Sequence, residues 1–134
     1  MRTTGLFLAT AVIIALSSGC TQKWKDPEVA ILAREMDITA ILLDPIIYDS
    51  AALVVKGMVW DVSTEKMTAG DVEVEYTIFK LADRDGNYVG VFSLGHLDVN
   101  EGDRLKVTGI YRRRMETAYY NFRNDIEAML VEED

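Results

Sequence analysis

Few side chains in this sequence are equipped for covalent or acid–base chemistry. There is one cysteine, Cys20, and one histidine, His96. Nucleophilic catalysis needs a nucleophile beside a positioned base. His96 falls in a predicted loop, and no local pattern sets a serine against it. It reads as a surface or loop-packing histidine, with haem or metal delivery as the alternative. Asp83, Asp85 and Asn87 alternate as oxygen donors do in calcium loops. No suitably placed glutamate completes a twelve-residue loop there, and Asp83-Arg84-Asp85-Gly86-Asn87 reads as a hairpin turn. Asp125 and Glu127 share one face of a predicted strand, either as a carboxylate pair or as a solvated edge. These residues predict no catalytic site, no metal site and no cofactor.

Two other sets are suited to binding. If Val55, Val59, Phe79, Leu81, Val89 and Val91 face a core, the opposite parity presents Met58, Trp60, Tyr76, Ile78, Tyr88 and Phe92. Such a face can stack on bases, sugars or a partner's side chains, unless N-terminal helices cover it. The candidate ligand face is therefore Met58, Trp60, Tyr76, Tyr88 and Phe92. The second set is basic: Arg112-Arg113-Arg114, with Lys106 and Arg123 as neighbours. It reads either as a nucleic-acid contact or as a solvated hairpin loop.

The elements that must position these residues are mostly strands. Asp26-Pro27-Glu28 is a helix start, and Val29, Leu32, Ala33 and Met36 give Glu28–Met36 one apolar face. Asp37 is positioned to cap a second helix, Ile38–Leu43, which Asp44-Pro45 ends. Leu53–Trp60 reads as the first strand, with a bend at Gly57. Ser63–Gly70 reads as a polar connection. Val72–Leu81 is the second strand; its apolar parity changes between Val74 and Phe79, which predicts a bulge within it. Tyr88–Phe92, Arg104–Arg112 and Tyr119–Leu130 complete the set, the last broken near Asn124, and Glu127–Asp134 ends the chain in a polar tail. Five short strands without long helices between them predict a mainly β, five-stranded barrel.

The first twenty residues have another composition. Arg2 precedes an apolar run from Gly5 to Leu16, and Ser17-Ser18-Gly19 leads to Cys20. This is the order of a secretory signal, and the run is about half of the ~20 residues that span a bilayer. Small residues before a cysteine resemble the bacterial lipoprotein lipobox, although Ser17 stands where leucine is usual and Leu16 lies one place early. The resemblance implies a peptide cut before Cys20 and acyl chains on that residue. An ordinary signal peptide with a chance cysteine is the alternative. The segments are then 1–19, signal peptide; 20–37, lipidated tether and short helix; and 38–134, the folded domain. Thr21, rather than aspartate, implies the outer membrane facing the periplasm if the organism is Gram-negative. The formal charge is −8, and removal of Arg2 with the signal leaves 13 basic and 22 acidic residues, or −9. That charge repels nucleic-acid backbones at long range.

Three stretches carry a further resemblance. Ile38 to Val59, with Asp44-Pro45, Tyr48-Asp49, Val55 and Gly57, is similar to the opening of the OB-fold in its exported bacterial version with an N-terminal helix. Phe79–Asp83 followed by Gly86 resembles that family's second hairpin, and Glu101-Gly102-Asp103 through Val107, Gly109 and Ile110 its fourth strand. Together they cover most of residues 38–128. The nearest pattern is that of domains similar to transfer-RNA anticodon-binding modules. The resemblance implies a five-stranded OB-type barrel, preceded by short helices and a signal peptide. It implies a non-catalytic envelope lipoprotein held at the membrane through Cys20, with a protein or small polar ligand as partner. An exported single-stranded nucleic-acid binder is the second reading.

Overall fold

The computed structural model describes residues 32–134. The signal, Cys20, the tether and the start of the first predicted helix, residues 28–31, lie outside the described residues. The described part is mainly β: strands β1 (Arg34–Glu35), β2 (Ala52–Ala69), β3 (Val72–Ala82), β4 (Tyr88–Leu94), β5 (Arg104–Glu116) and β6 (Asn121–Glu133), with short helices α1 (Ile38–Leu43) and α2 (Pro45–Tyr48). The sheet therefore has six strands, not five. The extra one is Arg34–Glu35, expected in the helix Glu28–Met36 but extended and paired in parallel with Leu53–Val54.

Helix α1 has the predicted bounds. Asp37 precedes it but makes no side-chain cap bond. Burial of Ile38 and Ile41 holds it instead; full burial of such a side chain is worth about 1.5–3 kcal/mol. Pro45 ends α1 and starts α2, because its fixed φ suits a first helical position.

Strand β2 is much longer than predicted, because it serves different neighbours along its length. Ala52–Met58 pairs antiparallel with β5, and Met58–Ala69 pairs antiparallel with β3. The polar stretch Ser63–Ala69 is thus strand, not connection: its side chains are wet while its backbone pairs with Val72–Ile78. Two features let β2 change neighbours. At Gly57 any Cβ would meet Ala82 O at 2.7 Å, so glycine permits the close approach of β3. Between Trp60 and Ser63 the register shifts by one residue, and Asp61 takes a φ of 55°. The bulge therefore lies in β2 and not, as expected, within Val72–Leu81; that strand, β3, keeps one alternation throughout, with apolar side chains on both faces.

From β3 the pairing passes antiparallel to β4, parallel from β4 to β6, antiparallel from β6 to β5, and from β5 back to β2. These pairings close a ring of strands, with β1 outside it. The ring is lined by Leu53, Val55, Val59, Phe79, Leu81, Val89, Val91, Leu105, Val107, Tyr111 and Ile126, together with Ile38 and Ile41 of α1. All six residues that the alternation assigns to the core are buried.

The turns are fixed by side-chain acceptors. Asp83 Oδ1 accepts from the backbone N–H groups of Asp85 (2.9 Å) and Asn87 (3.0 Å). Burial pushes the Asp83 carboxyl up, but bonds from Asn87, Asp85 and Thr39 hold it below its ordinary value. Buried Thr77 donates to Gly95 O (2.9 Å) and accepts from Leu97 N (3.0 Å), pinning the loop after β4.

Candidate functional site

The outer face of β2, β3 and β4 is built in cross-strand rows. Met58 lies beside Ala82, and Ala82 beside Tyr88; Trp60 lies beside Lys80, and Lys80 beside Gly90; Ile78 lies beside Phe92 and Tyr76 beside Leu94. The five candidate residues share this face but fall into two groups. Trp60 and Tyr88 are 50% and 44% exposed, and Met58 is half-buried beside them. Tyr76 and Phe92 belong to an aromatic stack, with ring centroids 5.2 Å apart.

That stack is closed by the β5–β6 hairpin, whose strand β6 pairs with β4. Tyr120 sits 4.6 Å from Phe92 and 4.8 Å from Phe122, and Phe122 packs edge-on against Phe92 at 5.2 Å. Phe92 is consequently buried and is not available as a platform. Its cover is the β5–β6 hairpin rather than α1 or α2, which pack on the core and on β5. Tyr120 and Phe122 were not singled out in the sequence because they lie about thirty residues downstream and arrive through the parallel β4–β6 pairing. The aromatic run Tyr119-Tyr120-Asn121-Phe122 was the available signal.

Between these groups lies an open groove of about 400 Å³, lined by Asp61, Lys80, Tyr88, Gly90, Tyr120, Arg123 and Asp125, among others. Lys80 Nζ is 3.0 Å from Asp61 Oδ2 and lies 4.9 Å over the Tyr88 ring. The bond to Asp61, then its charge, raises the Lys80 pKa above its ordinary value. The floor is Gly90, where any Cβ would overlap Asp125 Oδ1.

Asp125 reaches the groove because of Asn124. Asn124 has a φ of 52°, a conformation asparagine tolerates better than most residues. It is held there by Tyr111 Oη, which donates to Asn124 Oδ1 (2.8 Å), and by its own Nδ2, which donates to Tyr88 O (3.1 Å). The predicted strand break is thus a single turned residue within a continuous β6. Asp125 is buried, not a solvated edge. Its Oδ2 accepts from Arg123 N at 2.8 Å and meets Tyr120 Oη at 3.5 Å. Burial raises the Asp125 pKa, outweighing those bonds. Burial and then the Asp125 charge push the Tyr120 phenol up to about 12. Glu127 does not share in this: its carboxylate accepts from Arg112 Nη2 at 3.0 Å.

The five basic candidates are dispersed. Arg112, Arg113 and Arg114 lie in β5, not in a loop beyond it. Arg112 is paired with Glu127, Lys106 with Glu132 (3.9 Å), and Arg114 with Glu116 (4.0 Å). Arg113 has the opposite parity to its neighbours. Arg114 and Arg123 are cross-strand partners, and Arg123 alone of the five lines the groove. His96 is exposed, with Nδ1 3.5 Å from Thr64 Oγ1. Among the described residues, no group of three or more His, Cys, Asp or Glu side chains could hold a metal, and no helix is long and apolar enough to cross a membrane.

No protein-family model matches this chain, and no curated protein matches it in sequence.

Proposed function

We propose that residues 38–134 form an OB-type barrel that serves as a non-catalytic binding module, tethered to the cell envelope through acylated Cys20. The groove over β3 and β4 is the observation that carries this reading. OB-folds take their ligands on the face of their second and third strands, beside the loop joining the fourth and fifth. In the ring of this chain those strands are β3 and β4, and Tyr120 stands on the connection between β5 and β6. The order β5-β2-β3-β4 around the ring supports the same fold, since it places the fourth ring strand beside the first, as in a Greek key. The groove contains an ion pair, an exposed ring and a buried carboxylate, groups that position a ligand.

The anchor rests on Arg2, the apolar run from Gly5 to Leu16, and Cys20. Cells expressing wild type and Cys20→Ala are fractionated, and purified wild type is weighed by mass spectrometry. Acylated Cys20 with a released mutant is the expected result; a mutant that stays with the membrane would rule out this anchor. For the binding role, a photoreactive phenylalanine derivative replaces Tyr88, or Glu133 as a control. Adducts in cells from position 88 alone are expected. Absence of any adduct there would remove the module reading.

Single-stranded nucleic acid remains the second reading, on the exposed rings of Trp60 and Tyr88 and the triplet Arg112-Arg113-Arg114. The pairing of Lys80, Arg112 and Lys106 with carboxylates works against it. It requires affinity that falls steeply with salt.

A further inference from the structure

We propose that a ridge formed by Leu43, Ile46 and Ile47 seats in the surface of a zwitterionic phospholipid bilayer, so that the domain lies on the membrane as well as being tied to it; this rests on the Cys20 anchor proposed above. Among the described residues the four most exposed large apolar side chains are Leu43 (81%), Ile46 (72%), Leu32 (69%) and Ile47 (67%). Helix α2 buries none of its residues, and Leu43 closes α1 just before it. Three large aliphatic side chains thus face solvent within five residues. The core does not need them, because Ile38 and Ile41 already seat α1 there. Single exposed aliphatics are ordinary, but a cluster of them marks a contact surface.

The position of the ridge indicates what it meets. Arg34 pairs in parallel with Leu53, so the chain arriving from Cys20 joins the barrel beside the start of β2. Helix α2 closes onto that same start, where Ala51 N donates to Tyr48 O at 2.9 Å. Chain entry and ridge therefore share one end of the molecule. Leu32 is twelve residues after Cys20, a length that spans at most about 40 Å even when fully extended. An acylated Cys20 thus keeps this end of the barrel close to lipid. Within that reach the contact is intramolecular, at an effective concentration on the order of millimolar, so a patch too small to bind a membrane alone is sufficient. The charges beside the ridge are of both signs. Asp44 and Asp49 are exposed, and exposed Arg113 donates its backbone N–H to Asp49 Oδ1 at 3.0 Å. The amine and the phosphate of a zwitterionic headgroup each find an opposite charge there. The net negative charge of the chain disfavours an anionic surface. Three side chains fall far short of the area that a stable dimer buries, which disfavours a second copy.

The test uses the full-length chain, expressed with its signal and reconstituted in phosphatidylcholine vesicles. Acylation leaves Cys20 without a free thiol, so a nitrobenzoxadiazole label goes to one introduced cysteine. The labelled variants are Leu43→Cys, Ile47→Cys and, as an exposed control near the far end of β2, Thr68→Cys. Vesicles are prepared with and without nitroxide-bearing lipid. Expected are blue-shifted emission and several-fold quenching by the nitroxide lipid at positions 43 and 47, and neither at 68. Adding Ile46→Ser to the Ile47→Cys chain should lower its inserted-to-free ratio about tenfold, since insertion scales with buried apolar area. Ile46 is exposed, so an unchanged melting temperature is expected to accompany that loss. Labels at 43 and 47 as aqueous as the label at 68, on a chain that floats with the vesicles and has the acylated mass, would overturn the ridge contact while leaving the anchor standing. A blue shift without lipid quenching would also overturn it, by showing that a second copy or the N-terminal segment covers the ridge. A chain of unacylated mass that does not float would defeat the anchor reading, and the proposal with it.

Discussion

Asp125 is a carboxylate held where water hardly reaches it, and its environment raises its pKa through burial. The consequence has a definite sign. Above both pKa values the folded chain carries a charge it would rather not bury. As pH falls through the raised folded value, the fold takes up its proton before an unfolded aspartate does near ~3.9, and the penalty disappears. Asp125→Asn is neutral throughout and keeps an acceptor for Arg123 N. It is expected to melt a few degrees above wild type at pH 7, with the gap closing toward pH 4. A melting series over that range checks it; a variant that melts lower at pH 7 would mean that the charge stabilises the fold. A residue that costs stability yet stays oriented by its neighbours is consistent with a binding role.

At the scale of elements, β2 holds the arrangement together by changing partners midway. Its bulge leaves the N–H groups of Asp61 and Val62 without strand partners, and Glu101 supplies both acceptors, at 2.9 and 2.8 Å. Glu101→Ala should therefore cost about 1 kcal/mol, since exposed charge-assisted bonds are partly replaced by water. Urea unfolding should show a lower midpoint with an unchanged slope; an unchanged midpoint would mean the bulge holds itself. Asp61 belongs to this bulge and also anchors Lys80, so the turn and the groove are linked. Gly109 plays a different part. The β5–β6 register shifts between Thr108 and Gly109, and a Cβ at 109 would overlap the Glu127 carbonyl. The obstacle is close backbone approach rather than an unusual φ. Gly109→Ala is expected to lose about 1–3 kcal/mol, as overpacking typically does, measured by the same unfolding curves. An unchanged melting temperature in Gly109→Val would contradict this contact outright.

For the whole molecule, closure is the controlling feature. The last strand bonds to β5 along most of its length and to β4 at Gly90–Phe92, so it joins the two ends of the ring. Its final residues include buried Leu130 and Val131, and the predicted polar tail is in fact structural. A chain ending at Ala128 leaves Leu105–Thr108 without their β6 partners. It is expected to lose its cooperative thermal transition, read by circular dichroism. A truncated chain melting within a few degrees of wild type would show that the ring is stable open. The same closure brings Tyr120, Arg123 and Asp125 against β4, so loss of the β6 register should also dismantle the groove.

Local sequence was sufficient for whatever depends on near neighbours. Alternation identified the six core residues and the opposite face, Asp44-Pro45 ended α1, and Asp83–Asn87 formed its hairpin, because side-chain parity, proline geometry and Asx turns act within a few residues. It was insufficient wherever a distant strand decided the outcome. Ser63–Ala69 looked like a connection because its side chains are polar, yet its backbone bonds are satisfied by β3. The arginine triplet looked like a loop because it is charged, yet it pairs with β6. Phe92 looked exposed until the β5–β6 hairpin covered it, and Asp125 looked solvated until Asn124 turned it toward Gly90. Side-chain character reports the solvent that a residue can tolerate. Backbone pairing and ring closure, which join residues more than thirty positions apart, decided which residues share the groove.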